Sequence, residues 1–189
     1  MVQNKQEQIL DVAEAIVRSR GFNAFSYADI AAQVGASKAS LHHHFATKSD
    51  LGLKLVTRFT RNVLDALCEI DELHSSTLIK LREYARLYEG AMEENQMCLC
   101  GMLAAEHETL SEDMQLAINS FFDGHELWLE QVLVAGKENG ELAFEGDAKV
   151  HAQAIVSSFQ GALLVAKSRR SMQRMSVVAS HLVDSYRAK

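Results

Sequence analysis

Residues 25–51 read FSYADIAAQVGASKASLHHHFATKSDL, and the punctuation of this stretch decides the fold. Hydroxyl residues recur at Ser26, Ser37 and Thr47, each able to open a helix by accepting a hydrogen bond from an otherwise unpaired backbone N–H. Ser26-Tyr27-Ala28-Asp29 and Thr47-Lys48-Ser49-Asp50 have the form of capping boxes with Asp in place of Glu. Between the two short helices that these starts imply lies Val34-Gly35-Ala36-Ser37, a tight turn in which Gly35 takes the left-handed conformation. Ile30, Ala31, Val34, Leu41 and Phe45 pack the pair together, and the intervening polar residues stay outside. Two short helices joined by a glycine turn make a helix-turn-helix. Its second helix, about Lys38 to His44, is then a recognition helix whose amino-terminal residues face a DNA major groove. The candidate DNA contacts are Ser37, Lys38, Ala39, Ser40, His42 and His43 on that helix and its cap. Lys48 joins them from the first turn of the next helix, where backbone N–H groups also favour a phosphate oxygen, and Ser26 and Tyr27 from the start of the preceding one.

Helical periodicity extends to both sides. Ile9, Val12, Ala13, Ile16 and Val17 form one apolar stripe, and Gly21 is its stop. From Thr47 a long helix carries Leu51, Leu55, Phe59, Val63 and Leu67 at four-residue spacing, continued by Ile70 or Asp71, as a connecting rod between two parts. A fifth helix is marked by Leu81, Tyr84, Ala85, Tyr88 and Met92 and ended by Glu93-Glu94-Asn95-Gln96; a sixth covers about Met97 to Thr109. The seventh starts near Ser111, turns Ala117, Phe121, His125, Trp128 and Val132 inward, and closes at Gly136-Lys137-Glu138-Asn139-Gly140. After the loop Gly140 to Gly146, Asp147 opens an eighth helix with Ile155, Phe159, Ala162 and Val165, and Met172, Met175, Ala179, Leu182 and Tyr186 mark a ninth.

Composition agrees with an all-α fold of about nine helices. The 189 residues contain no proline, where usage of about 5% would place roughly nine. Glycine is sparse at 10 and aromatic residues make up 7%, which argues against a β-sandwich or barrel. With 48% hydrophobic and 23% charged residues the chain is globular rather than disordered. The longest apolar run, Met97 to Ala105, stops at Glu106, far short of the roughly 18 residues a membrane span needs, so no membrane partner is expected. The start, Met1 to Glu7, lacks the apolar core of a signal peptide, and with only Cys68, Cys98 and Cys100 a reducing, cytoplasmic setting is expected. The net charge of −6 is uneven: residues 1–60 hold seven Lys/Arg against five Asp/Glu, and residues 61–189 twelve against twenty. Acid is thus concentrated away from the candidate DNA-binding segment.

Ser26, Ile30-Ala31, the turn Gly35-Ala36-Ser37, Leu41-His42-His43-His44-Phe45, Lys48 and Leu51 together resemble the amino-terminal DNA-binding domain of the Tet repressor (TetR) family of bacterial transcriptional regulators. The match is specific over about residues 9–55 and weaker beyond. One position departs: the aromatic that the family places at His42, expected to touch the DNA backbone, is here an imidazole, which donates more strongly when protonated. The resemblance implies a helix-turn-helix domain over 1–47, a connecting helix over 48–73, and an effector-binding and dimerisation domain over 74–189. It implies as partners a palindromic double-stranded operator, a small-molecule effector and a second copy of the chain, with repression relieved by the effector.

On that reading the pocket candidates are Tyr84, Tyr88, Met92, Cys98, Met102, His107, Phe121, His125 and Trp128, most of which also suit an ordinary core. Phe159, Gly161, Ala162 and Val165 with Ala179, Leu182 and Val183 suit a four-helix dimer interface, or burial within one chain. Cys98 resembles a cysteine of some family members that sense reactive electrophiles, and a thiol near a helix amino terminus has a lowered pKa, so electrophile or oxidant sensing is the alternative to a pair of inert buried thiols. His42, His43 and His44 are consecutive, point about 100° apart on a helix, and cannot converge on one metal ion. No His-Glu-x-x-His, nucleophile elbow or phosphate-binding glycine loop is present, so neither catalysis nor a cofactor is expected. A helical interaction module without specific DNA binding is the remaining alternative.

Overall fold

The computed structural model describes residues 4–93 and 95–188. Residues 1–3, part of the segment read for a signal peptide, and Glu94, part of the expected stop of the fifth helix, lie outside the described residues. Nine α-helices are found among those described: α1 Lys5–Arg20, α2 Tyr27–Val34, α3 Lys38–His44, α4 Lys48–Leu73, α5 Thr77–Glu93, α6 Leu99–Ala104, α7 Glu112–Glu138, α8 Ala148–Arg169 and α9 Met172–Ser185. The expected sixth helix, Met97 to Thr109, is shorter than its apolar run: α6 ends at Ala104 and a separate 3-10 turn covers His107–Thr109. The break has a local cause. Thr109 donates its hydroxyl to the Glu106 carbonyl at 2.7 Å, and Glu106 N–H bonds the Leu103 carbonyl three residues back, both in competition with the α-helical ladder.

The chain forms two packing units. The first holds the described residues up to Arg61 together with Cys98–Phe121; the second holds Asn62–Met97 and the described residues from Phe122 onward. The long helix α4 contributes to both units, and α6 packs on α1.

In the first unit α1 buries Ile9, Leu10, Ala13, Ile16 and Val17 and packs against α2 and α6. Each large aliphatic so buried contributes about 1.5–3 kcal/mol. On the solvent side of the same helix, Glu7, Asp11 and Glu14 converge on Arg58 of α4 at 3.1, 2.7 and 2.8 Å, which ties α1 to the long helix. In the second unit α5, α8 and α9 pack pairwise, burying Leu81, Tyr84 and Tyr88 of α5, Ile155, Phe159 and Leu163 of α8, and Met175, Ala179 and Val183 of α9. The α7–α8 loop is pinned by Glu141, whose carboxylate accepts from the Ser76 hydroxyl at 2.6 Å and the Leu78 N–H at 3.2 Å and so caps α5.

Candidate functional site

The helix-turn-helix forms where its caps place it. Asp29 accepts from the Ser26 N–H at 2.7 Å and the Ser26 hydroxyl at 2.8 Å, bonds that hold its carboxyl below the usual range. Thr47 and Asp50 exchange reciprocal capping bonds at 2.9 and 3.0 Å, and Ser37 accepts from the Ser40 N–H at 3.1 Å to start α3. Gly35 ends α2 at φ 64, the left-handed conformation the turn requires. The inner faces of α2 and α3 bury Ile30, Ala31 and Leu41, followed by Phe45.

The nine candidate DNA contacts divide into two groups. Ser26, Ser37, Lys38, Ala39, His42 and His43 are exposed and Ser40 is half-buried, so α3 presents its amino-terminal half to solvent. Tyr27 and Lys48 turn inward. Tyr27 is 9% exposed, and its hydroxyl lies 3.0 Å from the Phe45 carbonyl and 2.6 Å from the Thr47 carbonyl, at the junction of α3 and α4. Burial, and secondarily the charge of Asp50, push this phenol up to about 12. Lys48 donates to the Phe25 carbonyl at 2.7 Å and rests over the Phe22 and Phe25 rings at 4.7 and 4.2 Å; burial draws its pKa down. Both side chains act as struts. Glu106, which the sequence reading did not single out, is another: its Oε2 accepts from the Phe22 and Asn23 N–H groups at 2.9 and 3.1 Å, across from Gly21 at φ 91. A Cβ on Gly21 would lie 2.5 Å from the other carboxylate oxygen. The only sequence signal for it was an acid ending an apolar run.

The second unit brings together five of the nine pocket candidates. Tyr84, Tyr88, Met92, His125 and Trp128 are buried there. The Tyr84 ring stacks on Trp128 at 5.6 Å and on Phe159 at 5.7 Å, and Tyr88 lies 5.3 Å from Phe159. A chain of polar contacts runs through this aromatic core, from Gln160 to the Tyr88 hydroxyl at 3.4 Å, to the Tyr84 hydroxyl at 3.2 Å, to His125 Nδ1 at 2.9 Å. Burial pulls the His125 pKa down to about 4, so the ring is neutral at neutral pH. Trp128 Nε1 donates to Asp71 at 2.8 Å, and Lys80 pairs with the same carboxylate at 2.7 Å. Gln160 and Asp71 complete this cluster, and the sequence marks Asp71 only as a continuation of the α4 stripe.

The other pocket candidates, Cys98, Met102, His107 and Phe121, belong to the first unit. Phe121 packs on Phe59 at 5.6 Å, His107 is half-buried beside Glu108, and Met102 is half-buried on α6. Cys98 and Cys100 are both buried, and burial pushes the Cys100 thiol well up, the direction opposite to activation.

Of the interface candidates, Phe159, Ala162, Ala179 and Val183 are buried within their own chain. Gly161 and Val165 are exposed and Leu182 is half-buried. The most exposed apolar residues of α8 and α9 are Val150, Leu164 and Val177, each about 60% exposed, and Val150, Ala154, Ser157, Gly161 and Leu164 form one α8 face at alternating steps of four and three. A Cβ on Gly161 would meet nothing within 4 Å. Among the described residues no group of three or more His, Cys, Asp or Glu is placed to hold a metal ion, and no helix is long and apolar enough to cross a membrane.

Residues 9–54 match the family model described as bacterial regulatory proteins of the tetR family, and residues 80–181 match that of the LmrA/YxaF-like transcriptional regulator C-terminal domain. A crystal structure of a TetR-family transcriptional regulator from Agrobacterium tumefaciens superposes with a TM-score of 0.96 at 32% identity, covering 98% of this chain and 99% of that one. The HTH-type transcriptional repressor NemR of Escherichia coli (strain K12) is 28% identical over 185 residues, 94% of this chain and 91% of NemR. The nucleoid occlusion factor SlmA of Vibrio cholerae is 26% identical over 163 residues, 85% of this chain and 82% of SlmA. With a helix-turn-helix whose polar face is open, an all-helical carboxy-terminal part and matches over both, the chain belongs to the TetR family of bacterial transcriptional regulators.

Proposed function

We propose that this protein is a homodimeric, cytoplasmic transcriptional repressor whose two α3 helices enter successive major grooves of a palindromic operator, and which a small-molecule effector releases. The observation that carries the reading is the sidedness of α3: Leu41 and the following Phe45 are buried, while Lys38, Ala39, His42 and His43 are exposed and the Ser37 cap fixes where the helix begins. Lys38 serves as a phosphate contact, and Ser40 and His43 as base readers. Tyr27 and Lys48 serve the interface from behind, by holding the α3–α4 junction and the α1–α2 turn.

The repressor assignment follows the name of the relative NemR, and dimerisation uses the exposed faces of α8 and α9 around Gly161, Leu164, Val165 and Val177. The effector is read by the uncharged chain Gln160–Tyr88–Tyr84–His125. Recovery and sequencing of genomic fragments retained by the purified protein at physiological salt tests the reading. The expected result is a palindrome whose half-sites are one or more helical turns apart, about 34–36 Å per turn. Enrichment of no sequence, or of sites without two-fold symmetry, overturns it.

A further inference from the structure

His42 stands where the family resemblance expects an aromatic side chain, and its ring is held on two sides. The Tyr27 ring lies 4.6 Å away at 49°, and Nδ1 is 3.2 Å from the carbonyl oxygen of Ala46. A carbonyl oxygen only accepts, so the second contact is a hydrogen bond only while Nδ1 carries the proton. The neutral ring is therefore held as the Nδ1–H tautomer, and Nε2, across the ring on an exposed side chain, presents a lone pair. Among the described residues Nε2 has no hydrogen-bonding partner. A phosphate oxygen arriving there also only accepts, so two lone pairs would face each other. A second proton reverses the sign: the imidazolium keeps Nδ1–H on Ala46 and offers Nε2–H with a positive charge.

We propose that His42 is a proton-gated phosphate contact, which grips the DNA backbone only as the imidazolium, so that operator affinity rises as pH falls. This rests on the DNA-binding reading above. Binding takes one proton from solvent for each His42, two for a dimer. Because binding takes up protons, acidification strengthens the complex. The ionisable groups on the surrounding elements are committed elsewhere. On α2, Tyr27 stays neutral to about pH 12 and Asp29 is bound by Ser26. On the first turn of α4, Asp50 accepts from Thr47 and Lys48 is bound to Phe25. On α3 itself, His43 and His44 face each other with ring centres 5.6 Å apart, and Lys38 lies one turn back at the helix start.

The test uses a fluorescent duplex selected by the wild-type protein from a random-sequence library at pH 6.0 and again at pH 8.0, with affinities read by anisotropy at constant ionic strength between those values. Wild-type affinity is expected to rise on acidification by on the order of tenfold per copy more than that of His42→Gln, the worth of a charge-assisted bond. His42→Tyr, whose phenol donates at every pH, is expected to show only the pH dependence of His42→Gln. His44→Gln, a control for the general gain of positive charge, is expected to keep the wild-type pH dependence. Nitrogen-15 spectra of the free protein should show the Nδ1–H tautomer for neutral His42. Parallel pH profiles for wild type and His42→Gln, or an Nε2–H tautomer, overturn the proposal while leaving DNA binding in place. Failure of the wild type and His42→Tyr to select any duplex at either pH removes the DNA-binding reading and this proposal with it.

Discussion

Replacing Tyr27 by Phe separates a strut from a DNA contact. The substitution removes one oxygen and leaves the ring that faces His42. In the wild type that hydroxyl has a single proton to share between the Phe45 and Thr47 carbonyls, at 3.0 and 2.6 Å. The Thr47 carbonyl keeps a second donor, the Leu51 N–H at 3.2 Å, so the loss falls on the buried Phe45 carbonyl. One hydrogen bond lost with one acceptor left poorly satisfied costs about 1–2 kcal/mol. For a chain of this length each kcal/mol moves Tm by about 2–4 °C, so a fall of about 2–8 °C is expected by circular dichroism.

The alkaline limb supplies a second readout. Because folding raises the phenol pKa from 10.0 to about 12, the folded state holds its proton longer than the unfolded one. The resulting stabilisation is complete below pH 10 and is lost as pH rises to about 12, and Tyr27→Phe should soften that decline. Affinity for a selected duplex should fall as well, through a loosened α3. An unchanged Tm with weakened DNA binding would refute the reasoning, since that combination belongs to a hydroxyl whose partner is a phosphate.

Four further outcomes are expected. Burial lowers the His125 pKa from 6.5 to about 4, so the wild type should lose stability as pH falls through that interval, by roughly 3 kcal/mol in full; His125→Gln should flatten this part of the acid limb, and parallel curves would remove the neutral buried imidazole. Lys38→Ala should lower the slope of log affinity against log salt by about 0.9 per copy, whereas Lys48→Met should lower Tm and leave the slope unchanged, and the reverse pattern would return Lys48 to the phosphates. Glu106→Ala strips the acceptor from the Phe22 and Asn23 N–H groups, at a cost of about 1–3 kcal/mol, and hydrogen exchange should quicken at those two amides; unchanged protection would sink the clamp. Leu164→Glu places a charge on the exposed face of α8 and should shift sedimentation from dimer to monomer, while an intact dimer would move the interface elsewhere.

The parts of the fold written in short-range chemistry were legible. Ser26, Ser37 and Thr47 start helices through bonds reaching three residues or fewer, and the α1 stripe needs only the spacing of Ile9, Ala13, Ile16 and Val17. The α8 face was not legible, because that helix carries apolar side chains nearly all round. Phe159 is buried and Leu164 exposed, yet a period of 3.6 residues does not choose between them when Ile155, Val156, Ala162 and Leu163 are apolar too. The register is set by packing against α5, far away in sequence, and against α9, which folds back after a two-residue turn. What the sequence does not show is the role of Glu106 beyond the break after α6, since its carboxylate is drawn to amides 83 and 84 residues away.

The candidate DNA contacts divide by how their polar atoms are engaged within the protein. A motif marks which side chains begin near the groove, but an internal carbonyl competes with phosphate for every donor within its reach. Tyr27 shares its one hydroxyl proton between the Phe45 and Thr47 carbonyls at 3.0 and 2.6 Å, whereas Lys48 gives one of the three N–H donors of its ammonium to the Phe25 carbonyl at 2.7 Å. The Tyr27 proton reaches a ligand only if a bond in the protein breaks first, while Lys48 is held in place by one bond and by the Phe22 and Phe25 rings. His42 faces the same competition from Ala46 and meets it differently, because imidazole has two nitrogens. One is spent as a strut and the other stays open, so this side chain can position α3 and still answer to DNA, with the proton count deciding whether it does.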